Sequence, residues 1–276
     1  MTKRALVLGG GGLTGIGWEW GIVAGLAEAG LDLSAADLIV GTSAGSVVGA
    51  QLATGLDVAA RYEAQLVPPD GELAATLGAK MMLRYALAMI GPSARARKRI
   101  GRLALRANTG EESARLAVIE SRLPVKEWPA RALQITAVDT ATGEFRVFDR
   151  ASGVPLVAAV AASCAVPGVW PPVTIEGRRY MDGGARSGTN ADLAAGYDRV
   201  VVIAPLPRGI GPMPGAATQV EALRARSRVA LITPNRAATQ AFGRNVLDPA
   251  RRAGAARAGR AQAATLVPEI REVWED

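Results

Sequence analysis

No histidine occurs among the 276 residues, and that absence removes whole classes of chemistry. Ser-His-Asp and Cys-His arrangements need an imidazole, as do histidine-ligated metal sites. Cysteine is nearly absent too. The single thiol, Cys164, forbids an intrachain disulfide and fits a reducing compartment; in AASCAVPG it reads as a small buried apolar residue rather than a catalytic thiol. Aromatic residues are 4% of the chain against 49% hydrophobic residues overall. The core must therefore be built from Ala, Val, Leu and Ile, which suits a sheet packed by helices. Long apolar runs are missing. The start, MTKRALVLGGGG, has too short an apolar run for a secretory signal. The longest charge-free stretch, Ala151 to Ile175, is interrupted by Pro155, Pro167, Pro171 and Pro172, which a membrane-spanning helix does not accommodate. A cytoplasmic location is expected. With no charge block or Ser/Gly linker to divide it, the chain is expected to form one domain over residues 1–276.

What is present is organised around DLIVGTSAGSVVGAQLA, Asp37 to Ala53. An apolar strand, Leu38 to Val40, runs into Gly41-Thr42-Ser43-Ala44-Gly45 and directly into a helix, the pattern of a nucleophile elbow. Gly41 and Gly45 leave room for the strained turn, Ser43 stands at the helix N-terminus, and the Ala44 N–H points where an oxyanion would form. The pentapeptide alone is a weak signal; its place between strand and helix strengthens it. Upstream, the strand Arg4 to Leu8 empties into Gly9 to Gly15 before a helix expected from about Ile16 to Ala29. Gly10, Gly12 and Gly15 spell a dinucleotide fingerprint, but the second strand ends in Gly41-Thr42-Ser43 where that site needs an acidic residue. The loop reads better as the second half of an oxyanion hole, and no cofactor or metal is expected.

From about residue 56 to 122 the pattern is helical, with breaks at Pro68-Pro69-Asp70-Gly71, Gly91-Pro92 and Asn108-Thr109-Gly110, and it is expected to be an insertion. Strands resume at Ala132 to Val138, and Asp139 reads as a residue of the turn into Glu144 to Phe148. An alanine-rich helix, Pro155 to Ser163, is followed by a Pro-rich bend and a strand, Arg178 to Met181, ending at Asp182-Gly183-Gly184. Further strands are expected at Val200 to Ala204 and Val229 to Thr233, with a Pro/Gly loop Pro205 to Gly215 between them and helices near Pro234 to Gly243 and Pro249 to Ala264. Without histidine, the base that takes a serine proton must be lysine, tyrosine or a carboxylate. Asp182 has the best address, at a strand end before two glycines that permit close approach.

Together, the glycine loop Gly10 to Gly15, GTSAG at Gly41 to Gly45 and DGG at Asp182 to Gly184 resemble, in order and spacing, the patatin-like phospholipase family. SCAVPGVWPPV (Ser163 to Val173) and the hairpin AVDTATGEFRVF extend the likeness over most of the chain, least in the helical insertion. The resemblance implies a three-layer α/β/α fold on a largely parallel sheet. It also implies a dyad with Ser43 as nucleophile and Asp182 as base, N–H groups of Gly10, Gly11 and Gly12 stabilising the oxyanion, and a lipid or acyl-ester substrate. One position departs: Thr14 stands where the family usually has Arg or Lys before the last glycine of the first motif.

Two other readings use the same elements: transacylation to another lipid, or a lipid-binding regulatory protein without catalysis. Trp18, Trp20 and the methionine-rich Lys80 to Ile90 are candidates for an acyl pocket, ranked behind core packing. A net charge of +7 and the basic run Arg95, Arg97, Lys98, Arg99, Arg102 and Arg106 suit contact with an anionic membrane at the inner face. No aromatic-basic interleaving or reading helix supports nucleic acid. Oligomeric state is not legible.

Overall fold

In the computed structural model, residues 2–67, 75–76 and 79–275 are described. Strand β1 (Arg4–Leu8) leads through helix α1 (Gly12–Glu28) to β2 (Leu38–Gly41) and α2 (Ala44–Ala53). Helices α3 (Val58–Leu66), α4 (Ala79–Ala88), α5 (Ser93–Arg106) and α6 (Glu112–Arg122) come before β3 (Ala132–Asp139) and β4 (Phe145–Phe148). Then follow α7 (Leu156–Ser163), β5 (Val173–Ile175), β6 (Arg178–Asp182), β7 (Arg199–Ile203), α8 (Ala216–Arg224), β8 (Arg228–Ile232), α9 (Arg236–Phe242) and α10 (Arg252–Trp274). The break expected at Pro68-Pro69-Asp70-Gly71 lies outside the described residues.

Strands β3, β2, β1, β7 and β8 form a parallel block in that order, and β4, β6 and β5 add to its β3 edge in antiparallel sense. The sheet is therefore mixed but mostly parallel, with helices on both faces. Strand β1 shows why its sequence is a continuous apolar run. Leu6 and Leu8 face a core shared with α1, α2 and α10, whereas Ala5 and Val7 face a second core closed by Val220 and Leu223 of α8.

Glycine brings α1 and α10 unusually close. A Cβ on Gly21 would sit 2.1 Å from the Ala256 carbonyl oxygen, and one on Gly259 would sit 2.4 Å from that of Trp18. At such a crossing a side chain must be absent for the backbones to approach.

Two helix boundaries and one whole helix differ from expectation. Helix α1 begins at Gly12 rather than near Ile16, because tertiary contacts hold the glycines helical: Thr14 N–H donates to the Val246 carbonyl at 3.1 Å. Helix α8 occupies a stretch with no strong periodicity in the sequence. Helix α10 continues through Pro268 to Trp274, whose buried indole donates to the Asp32 carbonyl at 3.0 Å. That core anchor outweighs the hydrogen bond a proline removes.

Candidate active site

At the end of β2 the chain turns through Ser43 with φ 51° and ψ −116°, a backbone conformation that costs an ordinary residue roughly 1–3 kcal/mol. Packing and hydrogen bonds hold it there. The Thr42 N–H donates to the Leu8 carbonyl (3.0 Å), the Gly45 N–H to that of Gly9 (3.0 Å), and the Ser43 N–H to the Ser163 hydroxyl (2.9 Å). Gly41 and Gly45 are required by space: a Cβ on Gly45 would lie 2.1 Å from the Leu8 carbonyl oxygen, and one on Gly41 2.6 Å from that of Gly45. The turn thus has the elbow geometry that GTSAG suggested.

Asp182 reaches Ser43 through the register of β3. Strand β2 pairs with the first part of β3, ending at Gly41 opposite Ile135. Strand β6 runs the other way and ends at Asp182 opposite Ala137. Because β4 pairs with both Ile135 and Ala137 on the far side, β2 and β6 share one edge of β3 and meet end to end. The two strand ends bring the hydroxyl and the carboxylate close enough for the Ser43 hydroxyl to favour the ionised carboxylate. Asp182 Oδ1 also accepts the Gly184 N–H at 2.7 Å. Burial pushes the carboxyl up to about 6, although the Ser43 hydroxyl, the Gly184 N–H and the charge of Arg115 each pull it down.

The DGG glycines serve contact. A Cβ on Gly183 would lie 2.2 Å from Thr136 Oγ1, and one on Gly184 2.9 Å from Asp182 Oδ1. Behind them, the buried Asn190 side-chain amide donates to Thr42 Oγ1 (3.0 Å), Thr136 Oγ1 (3.3 Å), and the Gly183 and Ser187 carbonyls (3.4 and 3.0 Å). That hub joins the elbow, β3 and the Asp182 turn. Neither Asn190, Thr136 nor Ser163 carries a sequence signal that could have marked it, since each acts across the fold.

The glycine loop needs one correction. Gly10, expected among the oxyanion donors, gives its N–H to the Gly188 carbonyl at 2.7 Å and is engaged in holding the loop. The N–H groups of Gly11, Gly12 and Ala44 have no backbone acceptor among the described residues, and they lie at the N-termini of α1 and α2, where a developing negative charge is favoured. Gly15 keeps these two helix starts together; its Cβ would lie 3.3 Å from that of Ala44. Thr14 is buried, its hydroxyl directed at the Gly11 and Val246 carbonyls (3.3 and 3.4 Å). It seals the loop and supplies no charge.

A narrow cleft opens at Ser43, lined by Gly12, Leu13, Ile16, Ala44, Arg115, Arg122, Cys164, Val166, Trp170 and Leu247. Its cavity volume is about 30 Å³, room for a water or two. Helix α4 is fastened to its wall: Met81 packs against Gly168, and the Tyr85 hydroxyl donates to the Pro167 carbonyl at 3.0 Å.

The other candidates fall elsewhere. Trp18 and Trp20 are fully buried core residues, their indoles donating to Gln262 (3.2 Å) and Gln51 (2.9 Å). Of the methionine-rich segment, Met89 is core and Met81 supports the cleft wall, while the Met82 side chain lies outside the described residues. Cys164 is buried, with its thiol directed at the Ser43 carbonyl (3.3 Å), and burial pushes that thiol up. Asp139 closes the β3–β4 turn by accepting the Ala141 and Thr142 N–H groups (2.8 and 2.9 Å). Burial raises that carboxyl, but these donors and Arg178 outweigh it and hold it below the ordinary range. No helix among the described residues is long and apolar enough to cross a membrane.

No curated protein sequence matches the chain. Among solved structures it is similar to VipD from Legionella pneumophila (13% identity, 97% of this chain and 67% of that one, TM-score 0.49). It is also similar to the type III effector ExoU (17%, 98% and 53%, TM-score 0.46) and to the ExoU–SpcU complex of the Pseudomonas aeruginosa type III secretion system (16%, 100% and 52%, TM-score 0.44). The chain thus spans between half and two thirds of those structures' chains. A family model described as patatin-like phospholipase matches residues 6–195, from β1 to just beyond the Asn190 hub. This chain belongs to the patatin-like phospholipase family.

Proposed function

We propose that the chain is a serine lipid acyl hydrolase working through an acyl-enzyme on Ser43 and Asp182. The observation that carries this reading is the meeting of a strained, buried Ser43 with the buried Asp182 carboxyl at the facing ends of β2 and β6. As Ser43 Oγ attacks the ester carbonyl carbon, its proton passes to Asp182, and the tetrahedral oxyanion takes the N–H groups of Gly11, Gly12 and Ala44. Collapse breaks the ester C–O bond, and the departing alkoxide takes the proton from Asp182. Water then attacks the acyl-enzyme, gives a proton to Asp182, and releases the carboxylic acid as Ser43 recovers its own. Labelling with a fluorophosphonate tests the reading: wild type is labelled and Ser43→Ala is not. Well-folded wild type that resists labelling would return the chain to a lipid-binding role.

The acid limb of kcat/KM follows from the Asp182 carboxyl. The base must be ionised to accept a proton, so activity is expected to be full above about pH 6, where burial places that group, and to fall below it. A limb centred near pH 4 would mean that Asp182 titrates as an ordinary exposed carboxylate.

The surface at which lipid is met lies on α4 and α5. Leu83, Leu87 and Ile90 are exposed, and Leu87 shares a shallow groove with Arg84, Arg102 and Arg106, a pairing that suits an anionic bilayer. The basic run of α5 divides in its duties. Arg97 Nε donates to the Gly143 carbonyl (2.7 Å) and Arg99 Nε to that of Ala88 (3.0 Å), fastening the helix down. The expected lipid contacts are therefore Arg84, Arg102 and Arg106. Changing all three to Gln should weaken binding to anionic vesicles roughly a hundredfold at low salt, at about 1 kcal/mol each, and much less in high salt. Equal binding by wild type to neutral and anionic vesicles would remove this surface from consideration.

A further inference from the structure

The loop between β7 and α8, Pro205 to Gly215, has a composition that exposure to water does not explain. Four of its eleven residues are proline, and Arg208 is its one polar side chain. Its shape is fixed by its own hydrogen bonds, from the Ala216 N–H to the Pro207 carbonyl (2.9 Å) and from the Met213 N–H to that of Ile210 (3.1 Å), and by Met213, which packs into the cluster of Ala88, Met89, Val138 and Met181. Ile210 is left 60% exposed and Leu206 46%. With the prolines restricting the backbone, the tip has little freedom to fold its apolar side chains away from water.

The tip adjoins the apolar and basic surface of α4 and α5. A Cβ on Gly211 would lie 2.9 Å from Met89 Cβ and 3.1 Å from the Met89 carbonyl oxygen, so Ile210 and Ile90, the chain neighbours of that contact, stand at one junction, where Ile90 is 64% exposed. The base of the loop touches the catalytic centre. A Cβ on Gly11 would meet Pro205 at 2.5 Å and one on Gly15 would meet it at 3.5 Å, so Pro205 braces the glycine loop. Charge distinguishes what the junction can meet. No aspartate or glutamate occurs between residues 73 and 110 or between 199 and 220, whereas Arg84, Arg102, Arg106 and Arg208 are exposed. A second copy would set cation against cation. An anionic bilayer brings negative charge and apolar depth together.

Resting on the reading of α4 and α5 as the surface where lipid is met, we propose that the Pro205–Gly215 loop is its insertion element: Ile210, with Ile90 beside it, enters the acyl boundary of an anionic membrane, and Arg208 and Arg84 lie at headgroup level. The two kinds of residue have separate duties. Arginines draw the protein to the surface, and salt screens them. Isoleucines hold it there by apolar burial, which salt does not screen. Because the loop is rooted at Pro205 against Gly11 and Gly15, the inserted tip and the glycine loop are parts of one braced unit.

The test measures co-sedimentation of the full-length protein with vesicles of equal parts phosphatidylcholine and phosphatidylglycerol, at low and at high salt. Ile210→Ser should weaken binding about tenfold, the value of burying one such side chain, and by the same factor at both salt concentrations. Ile90→Ser should do likewise, whereas the effect of Arg84→Gln should fade in high salt. Unfolding midpoints matching that of wild type show that the exposed positions have been changed without loss of the fold. As a second measurement, Ile210→Trp should be quenched by lipids brominated on their acyl chains, above the quenching of the five native tryptophans. Ile210→Ser that binds as wild type does, or Ile210→Trp with no added quenching, overturns the insertion element and leaves the arginine surface standing. Wild type that binds these vesicles at neither salt concentration refutes the surface reading beneath it. Wild type that sediments as a dimer without lipid, with Ile210→Ser a monomer, assigns the tip to a second copy and overturns the proposal.

Discussion

Ser43→Ala and Asp182→Asn are each expected to lower ester turnover by roughly a thousandfold or more, and to do so non-additively, because in the proposed mechanism the two side chains act as one proton-transfer unit. The two variants should part company in stability. Burial holds the folded-state pKa of Asp182 near 6 against an ordinary value of 3.8, so the folded protein binds that proton more tightly than the unfolded chain does. The resulting penalty is absent below about pH 4, grows as pH rises through the window between the two values, and is complete above about pH 6. At pH 8 it amounts to up to about 3 kcal/mol. The neutral amide of Asp182→Asn escapes it and can still accept the Gly184 N–H. That inactive variant should therefore unfold at higher denaturant than wild type at pH 8, and the gap should close toward pH 4. Thermal or urea unfolding at the two pH values checks the sign; near-normal turnover by Asp182→Asn would sink the dyad assignment. Asp139→Asn, whose carboxylate is held by turn N–H groups, should cost stability and leave the acid limb in place.

Gly45→Ala should be the most damaging small substitution in the elbow. Its new methyl group would lie 2.1 Å from the Leu8 carbonyl oxygen and 2.3 Å from the carbonyl carbon, and neither atom can rotate away. Helix α2 would have to move off β1, straining the hydrogen bond from the Gly45 N–H to the Gly9 carbonyl. A cost of about 3 kcal/mol is expected, which for a domain of this size lowers Tm by roughly 10 °C, with loss of most Ser43 labelling. Gly49→Ala, in the same helix, meets a side-chain methyl of Ile39 at 3.1 Å, which can yield, and should change Tm much less. Equal Tm values for the two variants would show that the elbow does not depend on this close approach.

Several elements could be read directly from the chain because local chemistry and tertiary role agree there. Strand β1 is apolar on both faces and is buried on both. GTSAG needs glycine on either side of the serine, and the structure supplies a backbone clash at each. Without histidine, a serine proton can pass only to lysine, tyrosine or a carboxylate, and Asp182 is a carboxylate at a strand end before two glycines. Where local pattern and tertiary demand diverged, the reading slipped. The first turn of α1 is made of residues that disfavour helix, and the Val246 carbonyl and the Ala44 side chain hold it. The basic residues of α5 look alike in the chain, yet Arg97 and Arg99 fasten the helix to neighbouring carbonyls, while Arg102 and Arg106 are exposed.

What the sequence by itself determined is the chemistry available: a serine in a turn that only flanking glycines permit, an aspartate at a strand end, two glycine-rich helix starts, and no imidazole. Those properties belong to short stretches, whose steric and hydrogen-bonding needs are local. Only the tertiary structure decided which groups meet. Ser43 and Asp182 are brought together because β2 and β6 use successive parts of one edge of β3, and strand register is set by the pairing of distant segments. The same holds for Gly10, whose N–H is taken by the Gly188 carbonyl, and for Asn190, which ties the elbow to the aspartate turn across the sheet. Distance in space between residues far apart in the chain is a property of packing, and no local pattern carries it.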